Sequence, residues 1–146
     1  MQMGDLEHYS TGGDIHIILN NNIGFTAIPK DGRSGVYCTD LAKAFNLPVI
    51  HVNADDPIAI NFAFRAAAEF RKKFKKSVFI DVIGYRRYGH NELDQPLFTQ
   101  PLIYKNMPNK LNVLSLYEKT LIEQKVATKV IKLTIYFYYI KYITYF

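Results

Sequence analysis

The chain has 146 residues, of which 49% are apolar and 21% charged, with a net charge of +5 and a pI near 9.2. This length allows one domain at most, large enough for a real core. Its single cysteine, Cys38, excludes an internal disulfide framework and a multi-thiolate zinc site, and reads as a small buried or half-buried residue in a reducing compartment.

The first thirteen residues carry Asp5 and Glu7 and no apolar h-region, so neither a signal nor a transit peptide is expected. Asp14 to Asn20 is a β-branched apolar run that predicts a strand, buried on both faces near Ile17, Ile18 and Leu19. Asn20-Asn21-Asn22 ends it and Gly24 turns the backbone. Residues 26–37 are a loop. Thr39 is the expected N-cap of a short helix over Asp40–Phe45, which Pro48 follows. Val49 to Val52 is a second short strand.

Asn53-Ala54-Asp55-Asp56-Pro57 is a strong helix start, with a carboxylate cap and proline at the first helical position. The helix runs to about Phe74. Ile58, Phe62, Ala66, Phe70 and Phe74 are its expected buried stripe, and Arg65, Glu69 and Lys73 its polar face. The cations Arg71, Lys72, Lys73, Lys75 and Lys76 cluster at its end, where the macrodipole favours them. No nucleic-acid-binding pattern accompanies them.

Val78 to Ile83 is a third strand. Strands and helices alternating through short connections predict an α/β fold with a parallel sheet and helices on its faces. Leu111 to Lys125 reads as one more helix. Lys129 to Phe146 is built almost wholly from Lys, Ile, Tyr, Phe, Leu and Thr, the residues of AT-rich codons. It is expected to be an atypical tail of frameshift or read-through origin, with an edge strand and an interfacial segment as the other readings. Lys132 and Lys141 interrupt its apolar run below the ~18–20 residues that span a bilayer.

Two segments carry chemistry. The asparagines after the first strand offer amide oxygens of the kind that suit Mg²⁺ or Ca²⁺, although such residues are also ordinary turn formers. The segment from Tyr85 to Pro101 follows the third strand directly and is dense in Arg, His, Asn, Glu and Asp. The guanidinium forks of Arg86 and Arg87 match phosphate or carboxylate. Gly89 admits a close ligand, and His90 can donate to a phosphate or act as acid or base. The competing reading is a surface loop in which Arg86 or Arg87 pairs with Glu92 or Asp94. His16 and His51 read as satisfied sheet residues. Asp81, in an apolar strand, needs a partner, for which an arginine of the following loop is the candidate.

Five motifs occur in order: Asn21-x-Ile23, Tyr37-x-Thr39-Asp40, His51 to Pro57, Tyr85-Arg86-Arg87-x-Gly89-His90-Asn91-Glu92, and Thr99-Gln100-Pro101-Leu102-x-Tyr104. Together they closely resemble the E1 component of 2-oxoglutarate dehydrogenase, a thiamine-diphosphate-dependent family. The likeness is closest over residues 6–105 and weaker to Thr128. It implies that residues 1–128 are part of a thiamine-diphosphate-binding domain. It also implies that the Asn21 side chain and the Ile23 carbonyl help hold the Mg²⁺ of the cofactor diphosphate. His90 is then the catalytic and cofactor-side histidine.

The parent activity implied is oxidative decarboxylation of 2-oxoglutarate with succinyl transfer to lipoyl groups. The implied partners are the E2 dihydrolipoyl succinyltransferase and a second E1 subunit, in the bacterial cytoplasm or the mitochondrial matrix. Neither nucleic acid nor a membrane span is expected. The family's acidic Mg²⁺ ligand, its substrate-recognition histidines and the domain that activates the aminopyrimidine are expected outside this chain, so the chain alone is expected to be inactive. The alternatives are a non-catalytic remnant that binds cofactor or E1, and an unstable pseudogene product.

Overall fold

Three short runs of β-branched and aliphatic residues become three parallel strands in the computed structural model, which describes residues 1–4 and 6–128. They are β1 (Ile15–Asn20), β2 (Val49–Asn53) and β3 (Val78–Ile83), in the order β1-β3-β2. The one-turn helix α1 (Pro29–Gly32) and a 3-10 turn (Asp40–Phe45) lie between β1 and β2. The long helix α2 (Pro57–Phe74) joins β2 to β3. A one-turn helix α3 (Pro101–Tyr104) and a 3-10 turn (Met107–Asn109) follow β3. The described residues fall in two units, divided after Lys110. In the second, helix α4 (Val113–Glu123) starts at Asn112, whose Oδ1 accepts the Ser115 N–H at 2.8 Å. The expected tail over residues 129–146 lies outside the described residues. The α/β fold with a parallel sheet is as expected.

Helix α2 forms where the sequence says it should. Asp56 Oδ1 accepts the N–H groups of Ile58 (3.1 Å) and Ala59 (2.9 Å), and Pro57 takes a position whose N–H has no partner in any helix. Lys75, with φ 56°, ends the helix by donating its N–H to the Arg71 carbonyl. Arg71 leaves the basic cluster to donate from Nε to the Gly13 carbonyl at 2.6 Å, which ties the helix end to the entry of β1.

The buried stripe of α2 differs from the expected one. Ala63 and Ala67 are buried, and Ala59, Ile60, Phe64 and Phe70 pack around them against Val78, Ile80 and Val82 of β3 and Val52 of β2. Ile58, Phe62 and Phe74 are at least half exposed. Residues spaced by four advance about 40° per step at 3.6 residues per turn, so a row of five wraps off one face. Alternating steps of three and four stay on it, and the two alanines let the helix lie close to the sheet.

Strand β3 is central, and Val78 to Val82 are all buried. Strand β1 is an edge. Helix α2 meets only its start, through Ile15, while Ile17 (51%) and Leu19 (82%) are exposed. The expectation that β1 is buried on both faces is therefore wrong for this chain: no described element covers its outer half. The opposite face of the sheet carries His16, Asp81 and His51. His16 stacks on Phe79, with ring centroids 4.6 Å apart. The Tyr37–Phe45 segment packs beside Asp81 and His51, and there Thr39 and Ala42 are buried. Thr39 makes no cap bond. The Asp40 carboxylate instead accepts the Tyr37 N–H at 3.0 Å.

Candidate functional site

Parallel strands end on one edge, so their exits are neighbours. Asn20 of β1 pairs with Ile83 of β3, and Ile83 with Asn53 of β2. The Gly84 N–H continues the ladder to the Asn20 carbonyl at 2.8 Å, and the Ala54 N–H reaches the Ile83 carbonyl at 2.9 Å. A Cβ on Gly84 would stand 3.1 Å from the Ala54 methyl, so the chain leaving β3 passes tightly over the β2–α2 connection. Three motif-bearing segments thus gather at the carboxyl edge, where open α/β sheets bind ligands.

The first is a compact turn. Asn21 Oδ1 accepts the Ile23 N–H at 3.2 Å, and Gly24 and Ala27 exchange two backbone hydrogen bonds of 2.8 Å. This holds the two expected metal ligands within one exposed turn. They supply neutral oxygens, which suit a hard cation. As a donor set they fit Mg²⁺ but fill only part of its shell. Among the described residues no group of three or more His, Cys, Asp or Glu is placed to hold a metal.

The second is the loop after β3, and Arg86 fastens it to the first. Its Nη2 donates to the Phe25 carbonyl at 3.1 Å. Its Nε donates to the Tyr88 carbonyl (3.2 Å) and the Tyr104 hydroxyl (3.1 Å), and Asp94 lies 3.8 Å away. The Phe25 ring lies against that of His90, with centroids 5.0 Å apart. Gln100 donates to the Thr26 carbonyl at 2.8 Å. The His90 N–H is held by Asp94 Oδ2 at 2.8 Å, and the His90 side chain stays exposed. Asn21, Ile23 and His90 therefore belong to two segments that are directly bonded to each other.

Of the two readings of the arginines, the internal one holds for Arg86, which is a buckle between loops and not a free anion fork. Arg87 donates from Nη2 to the Lys110 carbonyl at 2.7 Å, and its buried Nη1 has no hydrogen-bond partner among the described residues. Gly89 is required where it stands, because a Cβ there would come within 2.3 Å of the Asp94 carbonyl oxygen. Beside the loop, Arg87, Tyr88, Pro96, Leu97, Tyr104 and Met107 line an open pocket of about 430 Å³.

A separate polar centre lies mid-sheet. Asp81 is fully buried, and its partner is not an arginine. His51 Nδ1 lies 2.9 Å from Oδ2, and the Cys38 thiol donates to Oδ1 at 3.7 Å. The reason is register: His51 and Asp81 are paired positions on adjacent strands and share a face, whereas the arginines lie beyond the strand end. Tyr37 packs on the His51 ring, with centroids 4.2 Å apart. Burial, and then the Asp81 charge, raise the Cys38 pKa. The Lys43 ammonium and the Tyr37 N–H lower that of Asp40.

Sequence reasoning missed Tyr104 and Gln100 as parts that close the site. Gln100 and Tyr104 stand inside a motif the sequence singled out, which was the available signal. Nothing local pointed to bonds spanning 18 residues to Arg86 or 74 to Thr26.

The fold and this edge define an open parallel α/β protein whose strand-end loops form its candidate site. The sequence profile of the dehydrogenase E1 component family matches residues 1–143, and the chain belongs to that family. It is 47% identical over 129 residues to the mitochondrial 2-oxoglutarate dehydrogenase of Dictyostelium discoideum, covering 88% of this chain and 13% of that one. The 2-oxoglutarate dehydrogenase E1 component of Staphylococcus epidermidis is 50% identical over 129 residues, 88% of this chain and 14% of its own. The mitochondrial enzyme of Saccharomyces cerevisiae is 51% identical over 124 residues, 85% and 12%. The chain thus spans about an eighth of the length of these relatives, and the resemblance read from its motifs is borne out.

Proposed function

We propose that this chain carries the cofactor-side loops of a 2-oxoglutarate dehydrogenase E1 component. In the parent enzyme that activity is oxidative decarboxylation of 2-oxoglutarate with succinyl transfer to the lipoyl groups of E2. The observation that supports it most is the direct bonding of the Asn21–Phe25 turn to the Arg86–His90 loop at the carboxyl edge of the sheet. Thiamine diphosphate, when bound, supplies the electron sink for decarboxylation. The residues here bind and orient. Asn21 through its amide oxygen and Ile23 through its carbonyl would take two positions on the Mg²⁺ of the diphosphate. His90, exposed and steadied by Phe25, would donate a proton or hydrogen bond at the diphosphate side. Arg86 keeps the two segments in register.

The partners of that reading are E2 dihydrolipoyl succinyltransferase and a second E1 subunit, in a bacterial cytoplasm or a mitochondrial matrix. Among the described residues no helix is long and apolar enough to cross a membrane. On this reading the chain alone does not turn over, because two neutral oxygens make a partial metal site. Assay of the purified chain with thiamine diphosphate, Mg²⁺ and 2-oxoglutarate checks this. Absence of turnover is expected, and turnover comparable to an intact E1 would overturn it.

A further inference from the structure

Three contacts converge on Lys110, to which neither the motifs nor the proposed function assign a role. Its ammonium lies 2.9 Å from Asp55 Oδ2 and 3.7 Å from the centroid of the Tyr85 ring. Its carbonyl accepts the Arg87 Nη2 bond at 2.7 Å. Asp55 belongs to the β2–α2 connection and is itself fixed, since its N–H donates to Asn53 Oδ1 at 3.0 Å. Tyr85 and Arg87 open the loop that leads to His90. One residue therefore bonds the rigid start of α2 to the loop from β3, on the side opposite the Arg86 buckle to Phe25. The Lys110 side chain is 41% exposed, so the ion pair alone contributes little. The cation–π contact and the backbone acceptor act at the same point and on the same loop.

We propose that Lys110 is a positioning residue for the Tyr85–Glu92 loop and that, through Asp55, the Tyr85 ring and Arg87, it sets where His90 stands at the strand ends. A loop held at both ends presents its histidine without an ordering cost when ligand arrives. The consequence for cofactor rests on the proposed function; the anchoring does not.

The test uses the 146-residue chain and three variants: Lys110→Met, which keeps the stem, Lys110→Arg, which keeps the charge, and Asp55→Asn. Hydrogen exchange without ligand is expected to rise about tenfold at the His90 amide, whose N–H is held by Asp94, in Lys110→Met, the loss of roughly one charged hydrogen bond, with α2 and β3 unchanged. Lys110→Arg restores protection, and Asp55→Asn, which removes the ion pair and leaves the cation–π contact, gives a smaller rise of about threefold even where Lys110→Met fails to fold. Exchange within twofold of wild type, or a rise shared equally by β3 and α2, overturns the anchoring. In a second arm, the affinity for thiamine diphosphate with Mg²⁺ falls about tenfold in Lys110→Met and recovers in Lys110→Arg, with the melting temperature unchanged. Unchanged affinity with a loosened loop overturns the positioning role. If the wild-type chain binds no cofactor, the functional reading fails while the exchange arm still decides the role of Lys110.

Discussion

Removing His51 isolates the polar centre of the sheet from everything else. Asp81 has no exposed surface, and among the described residues only two donors reach it: His51 Nδ1 at 2.9 Å and the Cys38 thiol at 3.7 Å. His51→Ala leaves a buried carboxylate with one weak donor. Breaking a buried pair by removing one partner costs about 3–5 kcal/mol. The His51 side chain is 34% exposed, so water enters the gap and the cost falls to about 2–3 kcal/mol. Cys38→Ala removes only a weak donor and a small side chain, and should cost about 1 kcal/mol. Replacing both partners, Asp81→Val with His51→Leu, removes the stranded carboxyl and should restore most of the loss. Urea denaturation of the four chains at neutral pH, with the slope checked for constancy, measures each difference. A His51→Ala cost below about 0.5 kcal/mol, or one no larger than that of Cys38→Ala, would refute the pairing as the reason Asp81 is tolerated there.

Three further outcomes follow from particular contacts. Gly89→Ala forces a Cβ to within 2.3 Å of the Asp94 carbonyl oxygen, so the His90–Asp94 turn must open; amide exchange of His90 and Leu93 should rise while that of β3 stays fixed. Asp56→Ala removes the side-chain acceptor for two N–H groups of α2 and should lower stability by about 1 kcal/mol, whereas Asp56→Ser should recover most of it. Burial and the Asp81 charge raise the Cys38 thiol pKa, so alkylation by iodoacetamide should be slow at neutral pH, with its midpoint above the ordinary 9.0. The fold favours the neutral thiol. Its contribution to stability is therefore whole below about pH 9, where the unfolded thiol is also neutral, and fades as pH rises through the raised folded value.

The strands and α2 were legible because their signals are local. A β-branched run makes a strand, and Asp56-Pro57 makes a helix start, whatever lies around them. Burial was not legible, because it belongs to partners. Ile17 and Leu19 look like core residues in sequence, and only the position of β1 at the sheet edge leaves them exposed. The α2 stripe failed for a related reason: with apolar residues on several faces, hydrophobicity cannot choose among them, and the small Ala63 and Ala67 decide which face lies against the sheet. Asp81 announced that it needed a partner, but the partner followed from strand register and not from nearness in sequence.

The candidate site was read in pieces. Asn21, Ile23 and His90 were legible as motif positions, and parallel strands bring their segments to one edge. What holds the segments together was not legible. Arg86 presented itself as half of an anion fork, yet its hydrogen bonds go to the Phe25 and Tyr88 carbonyls and the Tyr104 hydroxyl. A guanidinium is the same signal in sequence whether it meets a phosphate or a carbonyl, and only geometry separates the two.

The central claim is that the Asn21–Phe25 turn and the Arg86–His90 loop form one cofactor-binding edge. Titrating the isotope-labelled chain with thiamine diphosphate and Mg²⁺, and following its backbone amide resonances, tests this most directly. The account predicts weak, saturable binding near about 1 mM, or about −4 kcal/mol, with shifts concentrated in residues 21–25 and 86–92 and lost in Asn21→Ala. Shifts confined to other surfaces, or none at several-fold higher cofactor, would contradict it.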